Sequence, residues 1–396
     1  MLERDMTFAD KKLPTGSEVT VLKNARLVLA NEVVLGHLAF SEGRIVSVDA
    51  GIAPQTGVDL ENDYLIPGLV DIHTDHFEKH VFPRAHVRWD PLRAALAHDA
   101  QIIGSGITTV FDSLCVGATI KNPERREILS PMVDALETAQ SAGMLRAEHL
   151  VHLRCEITDA ETTRLTEENI GKEIVRMVSV MEHLPGRRQS RDVEGYIQRR
   201  MADSGESRAA VERDVLELQN HSDAISEKVR PAVVALAHAH ALPLLSHDDT
   251  ELHHIDEAVA EDITISEFPC TLEAARKAKQ HGMHVVGGAP NVLRGGSQSG
   301  NVAVSDLMQE QLVDILASDY VPRSMLDSAF MIASETSFQE DLAAAMRLVT
   351  KTPAEVAGLS DRGEIATGRR ADLLHIGLHG GHPFVKRAWV AGTRVL

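Results

Sequence analysis

Eight short apolar segments, each ending in or near a polar residue, limit most strongly how this chain can fold. Helix-type stretches such as residues 90–106 and 123–143 separate most of them. Strands that alternate with helices build parallel sheets, and eight such units close into a (β/α)8 barrel whose strand carboxyl ends share one face. The predicted strands are YLIPGLVDIHTD, GITTVFDS, EHLVHLRCE, IVRMVSVMEH, ALPLLSHDD, DITISEFP, MHVVGGAPN and VDILASDY.

Short β-type runs at both ends of the chain predict a second, smaller unit. Runs such as VTVLKNARLVLA near the start and VKRAWVAGTRVL near the end lie between Asn, Gly and Asp turn signals. We therefore predict a small β-sandwich lobe from residues 18–63 and 363–396, with the barrel, residues 64–362, between its halves. Residues 1–17 are predicted to be a disordered leader, and a charged helical excursion is predicted at 185–230.

Charge and cysteine content exclude several classes of protein. The 40 basic and 58 acidic residues give a formal net charge of −18, which disfavours nucleic acid and anionic membranes as partners. The three cysteines lack a C-x-x-C spacing, which argues against a disulfide framework. No apolar run approaches the roughly 18 residues of a membrane span. The sequence predicts a cytoplasmic protein and leaves its oligomeric state open, a homo-oligomer included.

Imidazoles and carboxylates at the predicted strand ends indicate a metal site. His73 and Asp75 end the first strand, and His183 and His247 lie at or near the ends of the fourth and fifth. Side chains at i and i+2 of a strand point to the same side, so His73 and Asp75 can hold one ion. Nitrogen and oxygen donors on one face suit Zn²⁺, Mn²⁺ or Fe²⁺. A single strand-end histidine is more often structural, but three equivalent positions favour ligands.

Two further carboxylates extend this site. Glu156 ends the third strand, where we expect it to bridge two cations. Asp319 ends the last strand and is predicted to be the general base and a weak ligand, because a carboxylate there can accept a proton from a metal-activated water. His152 and Arg154 share the face of Glu156, and two interpretations stay open for them: a salt-linked layer inside the barrel, or contact with a bound group.

A glycine-rich segment after the seventh strand predicts a phosphate site. Its backbone N–H groups and polar side chains can surround phosphate oxygens, which commonly bind in this part of a barrel. Cations near other strand ends, each more often a mere surface charge, together favour a small anionic phosphorylated substrate. The predicted substrate-binding residues are Lys79, Arg84, Arg187, Arg188, Asn291, Arg294, Gly295, Gly296 and Ser297.

These motifs together resemble the amidohydrolase superfamily and, within it, the PhnM family, the diphosphatases of the bacterial carbon–phosphorus lyase pathway. The resemblance implies hydrolysis of α-D-ribose 1-methylphosphonate 5-triphosphate to the 5-phosphate and diphosphate. It also implies two divalent cations held by His73, Asp75, Glu156, His183 and His247. The matching segments are LIPGLVDIHTD, HDAQIIGSGITTVFDS, RAEHLVHLRCE, LLSHDD, EFPCTLEAARKAKQHGMHVVGGAPNVLRGGSQSGNVA, DILASDYVP and VTKTPAEVAGLSDRGEIATGRRADL.

The chain departs from the superfamily pattern in two places. The superfamily usually opens with H-x-H, whereas Asp75 makes the first metal position oxygen-rich and favours Mn²⁺, Mg²⁺ or Fe²⁺ over Zn²⁺. No strand-end lysine stands where many relatives carry a carboxylated lysine, so Glu156 takes that place. Glu156, His183 and His247 each lie one predicted strand earlier than the corresponding ligands in the commoner superfamily arrangement. Either the chain belongs to a different subtype, or two strands have been merged in the prediction.

Two other functions compete with the diphosphatase. One keeps the metal site and hydrolyses a C–N bond of a cyclic amide, an N-acyl compound or an amino-purine. The other is a non-enzymatic barrel that has lost its metal, which the intact set of donors disfavours.

Overall fold

The computed structural model describes residues 19–84, 87–118, 124–297, 300–335 and 341–396. The predicted leader, residues 1–17, lies outside these ranges. Strands of the described chain assemble into two sheets, one drawn from both ends of the chain and one from its middle.

The sheet from the two chain ends is mostly antiparallel and has eight strands. Its strand order is β16-β15-β14-β5-β1-β2-β3, with β4 paired to β1. The sheet curls, so that the rings of Phe40 and Trp389, from opposite parts of it, lie 6.4 Å apart over a shared apolar core. The strands are β1 (Thr20–Val28), β2 (Val33–Ser41), β3 (Arg44–Ala50), β4 (Val58–Asp59), β5 (Tyr64–Pro67), β14 (Leu373–His379), β15 (His382–Val390) and β16 (Thr393–Arg394).

Eight parallel strands from the middle of the chain form a barrel in sequence order. A parallel bridge between Thr74 and Asp319 joins the last strand to the first, so the predicted (β/α)8 barrel is confirmed. Each of the eight predicted segments overlaps one barrel strand, so no two barrel strands were merged. The strands are β6 (Leu69–Thr74), β7 (Ile107–Val116), β8 (Glu148–Glu156), β9 (Val175–Met181), β10 (Leu244–His247), β11 (Ile265–Glu267), β12 (His284–Gly288) and β13 (Ile315–Ala317).

One predicted strand, YLIPGLVDIHTD, is two strands in different sheets. Tyr64–Pro67 pairs with β1 and β14, whereas Leu69–Thr74 opens the barrel. Gly68 lies between them, where an added Cβ would stand 2.0 Å from Oγ1 of Thr108. Periodicity could not reveal the split, because both halves are buried and apolar. The domain boundary predicted at residue 64 stays a proposal, and this pairing favours moving it to Gly68.

Helices follow most barrel strands and pack around the outside of the barrel. Several begin at side chains that accept a backbone N–H, such as Asp90 before α2 and Thr271 before α8. The helices are α1 (His76–Val81), α2 (Pro91–Gly104), α3 (Arg125–Ser141), α4 (Thr162–Asn169), α5 (Val193–Ser204), α6 (Arg208–Ala239), α7 (Leu252–Ala260), α8 (Leu272–Gln280), α9 (Ala289–Arg294), α10 (Val304–Gln309), α11 (Ser324–Ser334), α12 (Leu342–Arg347) and α13 (Lys351–Val356).

The predicted excursion contains α5 and most of α6. The helix α6 continues past residue 230 to Ala239, and its last turns bury Val233 and Ala237 against the barrel. Inside the barrel, apolar side chains such as Ile72, Phe111 and Leu245 fill the interior below the strand carboxyl ends. Within the described ranges, every helix is too short or too polar to cross a membrane.

Candidate active site

A cavity of about 1310 Å³ opens at the carboxyl ends of the barrel strands. Its wall includes five of the six predicted metal ligands, His73, Asp75, His183, His247 and Asp319. A space of this size exceeds the usual range of small-molecule sites and can admit a phosphorylated sugar with several phosphates.

Closure of the barrel brings the first and last strand ends together. The N–H of Asp75 donates to the backbone oxygen of Asp319 at 2.7 Å, and the N–H of Asp319 donates to that of His73 at 3.0 Å. One donor atom from each of these three residues lies within 4.8 Å of the others. His73 and Asp319 are far apart in the sequence but belong to one group of possible metal ligands in the fold.

Left-handed backbone directs two carboxylates into the cavity. Asp319 has φ +54° and Asp248 has φ +57°, each just after its strand. Aspartate tolerates this conformation better than most residues, at a cost on the order of 1 kcal/mol. Burial, and then the charge of Asp75, raise the pKa of Asp319 to about 6.

A second group of donors lies beside the first. His183, His247 and Asp248 each offer one atom within 4.8 Å of the others. Nε2 of His247 lies 3.3 Å from Oδ2 of Asp248. The rings of His73 and His247 stack with centroids 5.7 Å apart, so the two groups are neighbours.

Glu267 holds both central imidazoles from behind. Its Oε1 lies 2.6 Å from Nδ1 of His73 and its Oε2 lies 2.6 Å from Nδ1 of His247. Burial lowers the pKa of His73, but the charge of Glu267 and the hydrogen bonds to Glu267 and Asp75 together outweigh it and raise the pKa to about 10. We did not predict a role for Glu267, although its place at the end of the sixth predicted strand was a usable signal.

Glu156 lies behind His183 rather than in the cavity wall. Its Oε2 is 2.8 Å from Nδ1 of His183, and its Oε1 accepts from the hydroxyl of Thr158 at 2.6 Å. Both oxygens are thus engaged, and the carboxylate is buried. The bridging role stays a prediction; the contacts favour a role in orienting His183.

Two interpretations were kept for His152 and Arg154. Arg154 lines the cavity and His152 does not. The guanidinium of Arg154 is paired with the Asp75 carboxylate, and its NH2 lies 3.5 Å from Nε2 of His247. His152 is buried, with Nδ1 near the backbone oxygen of Ile72 at 3.1 Å.

Three of the predicted phosphate ligands, Asn291, Gly296 and Ser297, line the cavity. Gly295 has φ +70° and ends α9 without lining it. Lys79 and Arg294 are exposed, and both contact Tyr320, a residue of the cavity wall, at its backbone oxygen (2.9 Å) and its hydroxyl (3.2 Å) respectively.

The other predicted cations, Arg84, Arg187 and Arg188, are not among the residues that line the cavity, and their role in phosphate binding stays a prediction. Arg84 is exposed beside Val87. Arg187 pairs with Glu182 and with Asp223, at 2.7 Å to the latter. Arg188 is buried and donates to Asp249 at 3.0 Å and to the backbone oxygen of His247 at 2.9 Å. The sequence alone could not show that acidic neighbours in the fold neutralise Arg187 and Arg188.

Other arginines line the cavity instead. Arg191 and Arg199, from the predicted helical excursion, lie in its wall with Tyr196. Among the described residues, Arg199 has no hydrogen-bond or ion-pair partner, and Arg191 contacts Asn301 at 3.5 Å. Arg125 and Arg126 also line it, each in a two-point pair with a carboxylate at 2.7 Å. Arg199 is thus the cation most available to an incoming anion.

The donor set fits a divalent cation. Nε2 of His73 and Oδ2 of Asp248 are buried and have no hydrogen-bond partner within the described residues. Such orphaned atoms are costly unless a bound group satisfies them. Imidazole nitrogen and carboxylate oxygen together are the ligands of Zn²⁺, Mn²⁺ and Fe²⁺ sites.

The fold is shared with solved amidohydrolases. The chain matches a structure described as an amidohydrolase with a TM-score of 0.61 and 15% identity, over 96% of this chain and 99% of that one. It matches a 5-methylcytosine deaminase from Klebsiella pneumoniae with a TM-score of 0.65 and 16% identity, over 95% and 98%. At these identities the likeness shows the fold alone. No protein-family model matches the chain.

Sequence similarity narrows the family. The chain is 40% identical over 376 residues to the alpha-D-ribose 1-methylphosphonate 5-triphosphate diphosphatase of Escherichia coli (strain K12). The match spans 95% of this chain and 100% of that relative. With the amidohydrolase fold around it, this match shows that the chain belongs to the family of the alpha-D-ribose 1-methylphosphonate 5-triphosphate diphosphatase, as its motifs predicted.

Proposed function

We propose that this chain is a metal-dependent hydrolase that cleaves α-D-ribose 1-methylphosphonate 5-triphosphate to the 5-phosphate and diphosphate. One observation carries the proposal: a relative with that activity in its name is 40% identical to this chain over 95% of its length. The cavity supports it, because donors for a cation line the same cavity as the basic side chains of Arg191 and Arg199.

We propose two cation positions, one at each group of donors. His73, Asp75 and Asp319 would hold the first, and His183, His247 and Asp248 the second. A divalent cation there would polarise a phosphate oxygen and lower the pKa of an attacking water. The oxygen-rich first position favours Mn²⁺ or Fe²⁺ over Zn²⁺.

Asp319 is the residue proposed to accept the proton of the attacking water. It shares the cavity wall with both groups of donors, and its left-handed backbone points the carboxylate inward. Glu267 and Glu156 contact the Nδ1 atoms of the neighbouring histidines, so that the Nε2 atoms of these histidines can act as metal ligands. These acids orient groups and do not take part in the proton transfer.

The phosphates are proposed to lie between α5 and the glycine-rich segment. Arg191 and Arg199 line the cavity together with Gly296 and Ser297. Guanidinium groups bind phosphate oxygens through two parallel hydrogen bonds, which would fix the orientation of the substrate's triphosphate group. Asp319 and the metal donors then meet the phosphoanhydride rather than the ribose.

We place the enzyme in the cytoplasm. Cys115, Cys155 and Cys270 are all free and buried, which suits a reducing compartment. Phosphorylated sugars are also confined there, since their charge keeps them from crossing membranes.

A substrate panel tests the proposed reaction against C–N hydrolysis. Purified protein loaded with Mn²⁺ would be given the ribose triphosphate, and separately hydantoins, N-acyl amino acids and amino-purines. We expect diphosphate release from the first and no turnover of the others. Turnover of a C–N substrate with no diphosphate release would overturn the proposal.

A further inference from the structure

Three histidines outside the cavity wall face one another between α1 and α2. His76 and His80 lie one turn apart on α1, and His98 lies on α2. Ring centroids are 5.0 Å apart for His76 and His80, 5.7 Å for His76 and His98, and 5.6 Å for His80 and His98. One nitrogen from each lies within 4.8 Å of the others.

One nitrogen of each ring in this cluster has no hydrogen-bond partner among the described residues. Nδ1 of His76, Nε2 of His80 and Nδ1 of His98 are buried and accept or donate no hydrogen bond within the described residues. His98 is fully buried, at 0% exposure. One unsatisfied buried polar atom is uncommon, and three that converge on one point require an explanation.

A carboxylate fixes the orientation of His98. Its Nε2 lies 2.6 Å from Oδ1 of Asp112, whose other oxygen lies 2.7 Å from Nδ1 of His149. Donation from Nε2 to Asp112 leaves the lone pair of His98 Nδ1 directed at His76 and His80. Histidines that bind metals are commonly held by a carboxylate in this way.

Packing alone does not account for the arrangement. The ring of Phe77 stacks on His98 with centroids 5.5 Å apart. If packing were the only role of this cluster, apolar side chains would fill it without leaving buried nitrogens unsatisfied. Instead, burial lowers the pKa of both His80 and His98, which favours the neutral imidazoles that ligate a metal.

We propose that His76, His80 and His98 form a separate site for a divalent transition metal of the Zn²⁺, Co²⁺ or Ni²⁺ type. Imidazoles at i and i+4 of a helix share one face and can hold one ion together. Zn–N bonds of about 2.1 Å require the three nitrogens to draw closer than they stand here. His76 and His80 are only partly buried, so their rings have room to adjust.

Metal at this site would join α1 to α2 beside the catalytic mouth. Between the two histidines, α1 carries Glu78, which pairs with Arg125 of the cavity wall at 2.7 Å. It also carries Lys79, which donates to the backbone of Tyr320. The ion therefore has a structural role and leaves the reacting groups unchanged.

Metal counting on full-length variants tests the site. Wild type, His80→Gln, His76→Gln and His281→Gln would be stripped with a chelator, dialysed against Zn²⁺ or Co²⁺, and analysed for bound metal. His281 is exposed and lies after α8, so its variant is the matched control. We expect wild type and His281→Gln to hold one equivalent per chain more than either cluster variant.

Two readouts separate this site from the catalytic one. Cu²⁺ bound to wild type should show a nitrogen-rich electron paramagnetic resonance component that is missing from both cluster variants. Diphosphate release should persist in those variants, and Zn²⁺ should raise their melting temperature less than that of wild type. Equal metal content and equal spectra in wild type and both cluster variants would overturn the proposal, as would loss of every bound metal from them.

Discussion

Nδ1 of His73, a residue of the cavity wall, lies 2.6 Å from Oε1 of Glu267, which is fully buried. The second oxygen of the same carboxylate holds His247 in the same way. One buried acid therefore sets the direction of two imidazoles from strands on different sides of the barrel. Their Nε2 atoms are left for the two groups of donors at the mouth.

Replacing Glu267 by Gln should weaken metal binding. An amide offers one acceptor where two N–H donors now meet a carboxylate, so one imidazole must turn or change tautomer. Loss of such a supporting carboxylate typically lowers metal affinity or activity about 10- to 100-fold. Metal titration of the stripped protein would measure it, and excess metal should restore part of the activity.

Glu261 supplies the control for that experiment, because it pairs with Arg230 on the outside of the barrel at 2.7 Å. Glu261→Gln should leave metal affinity unchanged. Unaltered metal affinity and activity in Glu267→Gln would show that the histidines need no such support.

Arg199→Gln should weaken substrate binding with little effect on the chemical step. Its guanidinium lines the cavity without a described partner, so its loss removes a phosphate contact and exposes no buried acid. We expect KM for the triphosphate to rise about tenfold, which corresponds to about 1.4 kcal/mol, while kcat changes little. Arg213, exposed on α6, provides the matched Arg213→Gln control. Equal KM values for the two variants would remove Arg199 from the phosphate site.

Arg188→Gln should lower stability rather than substrate affinity. Arg188 is a buried cation between Asp249 and Glu182, and its removal takes from the buried Asp249 carboxylate the guanidinium that pairs with it. Breaking one side of a buried ion pair typically costs about 3–5 kcal/mol. Chemical denaturation would measure the loss. A large rise in KM with unchanged stability would instead restore the predicted role as a phosphate ligand.

Glu148, at the start of β8, connects the barrel to the segment between α13 and β14, and its contribution should depend on pH. It pairs with Arg370 and with Arg362, at 2.8 Å to the latter. Burial raises the pKa of Glu148, but the two arginines outweigh burial and hold it below 4.5. The stabilisation is therefore complete above the ordinary pKa and is lost as pH falls through the lowered one.

Glu148→Gln measures that contribution directly. We expect the variant to unfold with roughly 1–3 kcal/mol less free energy than wild type near neutral pH, because hydrogen bonds to a charged group are lost. The difference should shrink as the solution is acidified below the ordinary pKa. A difference that stays constant across this range would show that charge plays no part.

Sequence patterns predicted the barrel because strand and helix periodicities alternate along the chain and the strand ends carry donors. His73, Asp75, His183, His247 and Asp319 could be predicted as one site, since the carboxyl ends of all barrel strands meet at one face of the barrel.

The phosphate site was harder to predict, because ion pairs in the fold decide which basic side chains are available to a phosphate. Arg187 and Arg188 are neutralised by acids that lie just after β9, on α6 and in the β10–α7 connection. Arg199 lies on a helix, and no local sequence pattern predicts that this helix faces the cavity. The split at Gly68 was hidden for a similar reason, since partner strands and not composition separate the two sheets.

Diphosphate release by Asp319→Asn, compared with wild type at equal metal content, tests the central claim most directly. Asparagine keeps the shape of the side chain and removes its capacity to accept a proton. We predict that wild type releases diphosphate from the ribose triphosphate and that the variant does so about 10²- to 10⁴-fold more slowly. Release at the wild-type rate by the metal-loaded variant would contradict the account.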